Sequence, residues 1–89
     1  MSKRNATCAV IGAGDYIGAE IAKKFAAEGF TVFAGRRNGE KLDPLVKEAE
    51  AAGGTIVGRS LDARNETEIA AFLNEADTHA PAQVCLFNV

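Results

Sequence analysis

TCAVIGAGDYIGAE, residues 7–20, is the stretch on which the reading of this sequence turns. Thr7–Ile11 is short, apolar and rich in β-favouring residues, the composition of a buried strand. Glycines follow at Gly12, Gly14 and Gly18, and Ile17, Ile21 and Phe25 then recur every four residues. That spacing predicts a helix over about Ile17–Glu28 with those three on one face. Lys23, Lys24 and Glu28 fall elsewhere, and Gly29 stands where a left-handed C-terminal cap belongs. A strand that turns through glycines into a helix presents unpaired backbone N–H groups at the positive end of the helix dipole, a place that favours a pyrophosphate. Gly12 would permit the tight turn. Gly18 would let the helix pack closely on the sheet, or let a cofactor approach.

The pattern repeats outward. Phe30–Ala34 predicts a second strand, and Gly35–Glu40 a polar loop with an Asn-Gly turn signal. Asp43 and Pro44 mark a helix start, with Asp43 as cap and Pro44 at the first helical position. Leu42, Leu45, Val46 and Ala49 form its apolar stripe, and Gly53 and Gly54 end it. Thr55–Leu61 predicts a third strand. Asn65 and Glu68 have capping-box spacing, and Ile69, Phe72, Leu73 and Ala76 form the face of a third helix. His79, Ala80 and Pro81 read as a loop before a fourth strand, Val84–Phe87. The order β-α-β-α-β-α-β predicts an α/β fold: a Rossmann-type parallel sheet with right-handed crossovers and helices on both faces.

In a doubly wound sheet the fourth strand lies beside the first and takes further neighbours. Here only Asn88 and Val89 follow it. The expectation is that residues 1–89 are the amino-terminal part of a single dinucleotide-binding domain, or that another chain supplies the missing layer. A bare apolar edge also predicts self-association through the fourth strand.

Composition narrows the function classes. The chain has 89 residues and a formal charge of −2, which gives no broad electrostatic reason to bind nucleic acid or an anionic membrane. Any affinity for phosphate must come from a local site. Cys8 and Cys85 lie in apolar runs, too few for a disulfide scaffold and unclustered for a metal site, and are expected to be buried thiols. The start, MSKRNAT, is polar, with no long apolar run after it, so a cytoplasmic location is expected.

The glycine spacing is G-x-G-x-x-x-G, one residue longer than the common dinucleotide fingerprint, and it lacks the Gly-Lys-Ser/Thr of a P-loop. IGAGDYIG resembles, along its full length, the T-G-x-x-x-G-x-G loop of the short-chain dehydrogenase/reductase family. Gly12 and Gly18 match the outer glycines. Ile11 stands in place of the Thr and Tyr16 in place of the middle glycine, where its side chain could crowd a pyrophosphate or lie along it. The resemblance implies a cofactor site built by Gly12, Gly14, Asp15, Tyr16, Ile17 and Gly18.

Folds that prefer NAD usually place an acid after the second strand, against the ribose 2′-hydroxyl. Gly35 occupies that place here, and Arg36 and Arg37 follow at once. Guanidinium groups pair with phosphate in two-pronged geometry. The phrase AGRRNGEKL resembles NADP-preferring members of the family, which implies Arg36 as the main 2′-phosphate contact and Arg37 as an accessory one. Asp62, with Ala63 beside it, matches the family's Asp that contacts the adenine amino group. Phe87-Asn88-Val89 resembles the start of the N-N-A-G motif, with Asn88 matching the second Asn and bordering the cofactor.

The resemblance thus implies NADP (NADPH) as cofactor and an oxidoreductase acting on a carbonyl/alcohol pair. Catalysis in the family uses a Ser and a Tyr-x-x-x-Lys pair. Tyr16 is the only tyrosine and Glu20 stands four residues on, so no catalytic residue is assigned in this chain. His79 is expected to be a solvated loop residue, and Glu66 and Glu68 favourable charges at a helix start. Two other readings stand beside the enzyme: a non-enzymatic NADP-binding sensor or regulator, and an inactive truncated fragment.

Overall fold

The computed structural model describes residues 6–12, 16–62 and 64–87. Four strands alternate with three helices: β1 (Thr7–Ile11), α1 (Tyr16–Ala27), β2 (Thr31–Arg36), α2 (Asp43–Ala51), β3 (Thr55–Ser60), α3 (Glu66–His79) and β4 (Ala82–Phe87). A 3-10 turn, Gly39–Leu42, leads into α2. The strands are all parallel and lie in the order β3-β2-β1-β4. The Rossmann-type α/β expectation is therefore met, and each strand lies within a few residues of its predicted place.

Burial of β1 on both faces explains why TCAVI shows no alternation of polar and apolar residues. Cys8 and Val10 face α1 and α2, and pack with Val32, Ala34, Leu42, Leu45, Ala49 and Ile56. Ala9 and Ile11 face α3, with Phe33, Leu61, Phe72 and Ala76. Thr7 is buried on the α3 side, where its hydroxyl lies 3.2 Å from the Ala76 carbonyl and 3.0 Å from that of Ala80. It donates to the end of α3 and fixes that helix against the central strand.

Several local expectations are corrected. The buried face of α1 is made by Ala22 and Ala26, while Ile21 and Phe25 are half-buried at its margin. Small residues let the helix approach closely: a β-carbon at Gly54 would already stand 3.1 Å from Ala26. Strand β2 runs on to Arg36, so Gly35 and Arg36 belong to the sheet and not to the loop. Asp43 is the first residue of α2, not its cap; Leu42 holds the cap position with no side-chain hydrogen bond, because the 3-10 turn has already curved the chain.

At α3 only half of the capping box forms. The Asn65 side chain accepts from the Glu68 N–H at 3.1 Å, but the Glu68 carboxylate accepts from the Asp62 N–H instead of that of Asn65. His79 closes α3 and is no loop residue; its ring stands 5.8 Å from that of Phe33. Cys8 is buried as expected, whereas Cys85 is exposed: it sits in register with Ala9 on the α3 face, but on β4 at the edge of the sheet.

Candidate functional site: the carboxyl ends of the strands

Strands β1, β2 and β3 end side by side, and each delivers one part of the predicted site. Gly12 closes β1 with φ +90°, a conformation that side chains resist and glycine adopts freely. Its N–H donates to the Gly35 carbonyl at 2.8 Å, tying the end of β1 to the end of β2. Helix α1 begins at Tyr16, and its amino-terminal end carries the positive end of the helix dipole. Gly18 is buried in the first turn of α1. Gly14, Asp15, Ala63 and Asn88 lie outside the described residues, and Tyr16 and Ile17 are described by their backbone alone.

Arg36 and Arg37 diverge, as consecutive residues on a strand end must. Arg36 is half-buried on the α1/α2 side and lines an open groove of about 190 Å³ with Ala19, Lys23, Lys41, Leu42 and Glu48. Lys23 there is engaged by Glu20 at 3.2 Å and Glu48 at 3.3 Å. Lys41 was not a sequence candidate, because nothing in a polar loop distinguishes it until the 3-10 turn brings it to the groove. Arg37 is exposed on the other side, with Nη2 3.8 Å from Asp62 Oδ1.

Asp62 caps its own turn. Its Oδ1 accepts from the Arg64 N–H at 2.9 Å and from Arg64 Nε at 3.3 Å. The backbone hydrogen bond from Arg64, then that residue's side chain, hold the carboxyl below its ordinary value, with Arg37 adding to the effect. Asp62 thus forms its own turn and also faces Arg37.

Gly35 leaves the end of β2 without a carboxylate at its position. It also has little space to spare: a β-carbon there would stand 2.7 Å from Leu61 Cδ2 and 3.4 Å from Phe72 Cε1. Hydrogen-bond donors at a glycine turn, a helix start and two guanidinium groups form a donor set that suits a phosphorylated dinucleotide. His79 lies at the opposite end of the sheet, where Ala82 pairs with Thr7. Among the described residues no group of His, Cys, Asp and Glu could hold a metal ion, and no helix is long and apolar enough to cross a membrane.

A parallel sheet ordered β3-β2-β1-β4, with a glycine turn after its first strand and helices on both faces, defines the Rossmann class. Within that class, residues 6–88 match the short chain dehydrogenase family, and the chain belongs to it. The crystal structure of a short-chain dehydrogenase from Rhodopseudomonas palustris is 82% identical, with a TM-score of 0.96 over 97% of this chain and 41% of that one. A metagenomic short-chain oxidoreductase solved in complex with NADP is 32% identical, with a TM-score of 0.84 over 93% of this chain and 38% of that one. An actinorhodin polyketide ketoreductase variant solved with NADPH is 33% identical, with a TM-score of 0.84 over 99% of this chain and 34% of that one. The chain spans about a third of the length of the curated relatives it matches, 31% and 32%.

Proposed function

We propose that this chain is the NADP-binding part of a short-chain oxidoreductase acting on a carbonyl/alcohol pair, and that residues 1–89 form the amino-terminal part of its single dinucleotide-binding domain. One observation carries the reading. The end of β2 presents Arg36 and Arg37 beside the Gly12 turn, with a glycine where an NAD-preferring site would carry an acid.

The roles divide by chemistry. The turn from Gly12 into α1, with Gly14, Asp15, Tyr16, Ile17 and Gly18, holds the pyrophosphate through backbone N–H groups. Arg36 is the main 2′-phosphate contact and Arg37 the accessory one, steadied by Asp62. Asp62 and Ala63 border the adenine, and Asn88 borders the cofactor at the end of β4. Bound there, the nicotinamide would supply or take up the hydride of the carbonyl/alcohol interconversion. The proton donor and the substrate pocket belong to sequence beyond these residues. The protein acts in the cytoplasm on this reading. NADP in the two relatives solved with it, and the absence of any carboxylate at position 35, support the choice of cofactor.

The test is a binding titration of the full polypeptide with NADPH and NADH. Arg36→Ala is expected to weaken NADPH by about 1.5–3 kcal/mol, on the order of 10- to 100-fold, and NADH far less. Equal weakening of the two overturns the 2′-phosphate assignment.

A further inference from the structure

The turn that carries the two arginines is short, and something outside it must fix its direction. Arg36 is anchored as the last rung of β2, its carbonyl accepting from the Leu61 N–H at 2.7 Å. Three residues on, the 3-10 turn starts at Gly39, and its first N–H groups have no partner within the turn. Asn38 precedes it in the cap position, with a residue type well suited to capping, yet its side chain makes no cap hydrogen bond. The cap comes from another strand. Ser60, the last residue of β3, accepts from the Gly39 N–H through its hydroxyl at 3.0 Å.

Gly39 is a glycine for reasons of space. It is absent from the positive-φ glycines, which are Gly12, Gly29 and Gly53. A β-carbon on Gly39 would stand 2.7 Å from the Ser60 backbone nitrogen, 2.7 Å from its Oγ and 2.8 Å from the Arg59 carbonyl carbon. Backbone atoms of a paired strand cannot give way by that much. The arginine turn is therefore pinned to β3 at both ends, by Leu61 to Arg36 and by Ser60 to Gly39. The same strand end continues to Asp62, which faces Arg37.

We infer that Gly39 and Ser60 act as a positioning pair that holds the Arg36-Arg37 turn against the end of β3, and so set the protein's discrimination between NADPH and NADH. The inference rests on the 2′-phosphate reading of those arginines. On this inference both residues act through the guanidinium groups they place.

The experiment measures dissociation constants for NADPH and NADH on the full polypeptide, with a melting curve for every variant. Ser60→Ala is expected to lower NADPH affinity roughly 3- to 10-fold, the worth of one hydrogen bond, and to leave NADH affinity where it was. Ser60→Thr, which keeps the hydroxyl, restores the ratio. Gly39→Ala produces the same selective loss by pushing the turn off the strand. An unchanged NADPH-to-NADH ratio in Ser60→Ala, an equal loss of both cofactors, or a Ser60→Thr variant no better than Ser60→Ala overturns the inference. So does a Ser60→Ala protein that fails to fold, since the contact would then serve the fold and not the selectivity. Arg36→Ala and Arg37→Ala run in parallel. If they shift the ratio and Ser60→Ala does not, only the positioning role fails. If neither arginine shifts it, the 2′-phosphate reading itself fails.

Discussion

Replacing Gly12 by Ala separates the two halves of the proposed cofactor site. At φ +90° a β-carbon crowds the neighbouring carbonyl, at a cost of about 1–2 kcal/mol for an L-residue. The turn has two ways to respond. It can keep its shape and carry the strain, or it can relax to negative φ and give up the 2.8 Å bond from the Gly12 N–H to the Gly35 carbonyl. Relaxation forfeits about 0.5–1.5 kcal/mol for that bond. It also redirects the backbone that runs into α1. Chemical denaturation should register a loss of about 0.5–2 kcal/mol across the two routes, and binding tells them apart. The pyrophosphate is common to both cofactors, so a relaxed turn weakens NADPH and NADH by the same factor, unlike Arg36→Ala. A strained but unmoved turn loses stability and keeps both affinities. Loss of NADPH binding alone would refute the reasoning, because it would place the 2′-phosphate, and not the pyrophosphate, at this turn.

Other expectations concern stability and titration. Thr7→Val keeps the shape of a buried side chain and strips its hydroxyl, leaving the Ala80 carbonyl without its donor; denaturation should show a loss of about 1–3 kcal/mol, and a neutral result would mean that water replaces the hydroxyl. Burial, then the neighbouring Cys85, push the Cys8 thiol from 9.0 up to about 11, so at neutral pH a thiol reagent should modify Cys85 and spare Cys8 in the folded protein. That raised value gives a contribution to stability that is complete below pH 9.0 and is lost as pH rises through about 11, measurable as an alkaline fall in Tm that Cys8→Ala removes. Asp62 has the opposite sign: its lowered carboxyl helps the fold above the ordinary value of 3.8, and the help is lost as pH falls through the lower folded value. Arg64→Ala should move the Asp62 carboxyl resonance back toward that ordinary value in an NMR titration. An isolated 1–89 chain is expected to associate through β4, and sedimentation as a monomer at high concentration would contradict this.

The sheet was legible because its signals are local. Short apolar runs, glycines at strand ends and the 69-72-73-76 stripe of α3 each bias a few neighbouring residues, and the structure follows them. What escaped depends on who meets whom. The reading of α1 followed its large residues, Ile21 and Phe25, but close packing against the sheet selects the small ones, Ala22 and Ala26. Asp43 has the side chain of a cap, yet the preceding 3-10 turn makes a cap unnecessary. At the candidate site, Gly12, Arg36, Arg37 and Asp62 were all named from sequence. The divergence of the two arginines, the Arg64 bonds to Asp62 and the Ser60 hydroxyl on Gly39 were not. Each joins segments whose proximity exists only after the sheet has formed.

The place of β1 in the strand order has a consequence for how the protein is made. Its partners on one side come from β2, but its other edge waits for β4, and its hydroxyl anchor reaches residues 69 and 73 positions away. Pairings so distant in sequence form slowly, since a long loop must close before any contact rewards it. On the ribosome, where chains grow at about 5–20 residues per second, TCAVI must stay unpaired on one edge for several seconds, until β4 has been made. Throughout that interval a flat apolar ribbon is available to any other strand nearby, including a second nascent copy of itself. Synthesis speed and chaperone occupancy therefore bear on the yield of this protein through its central strand, whatever the stability of the finished fold.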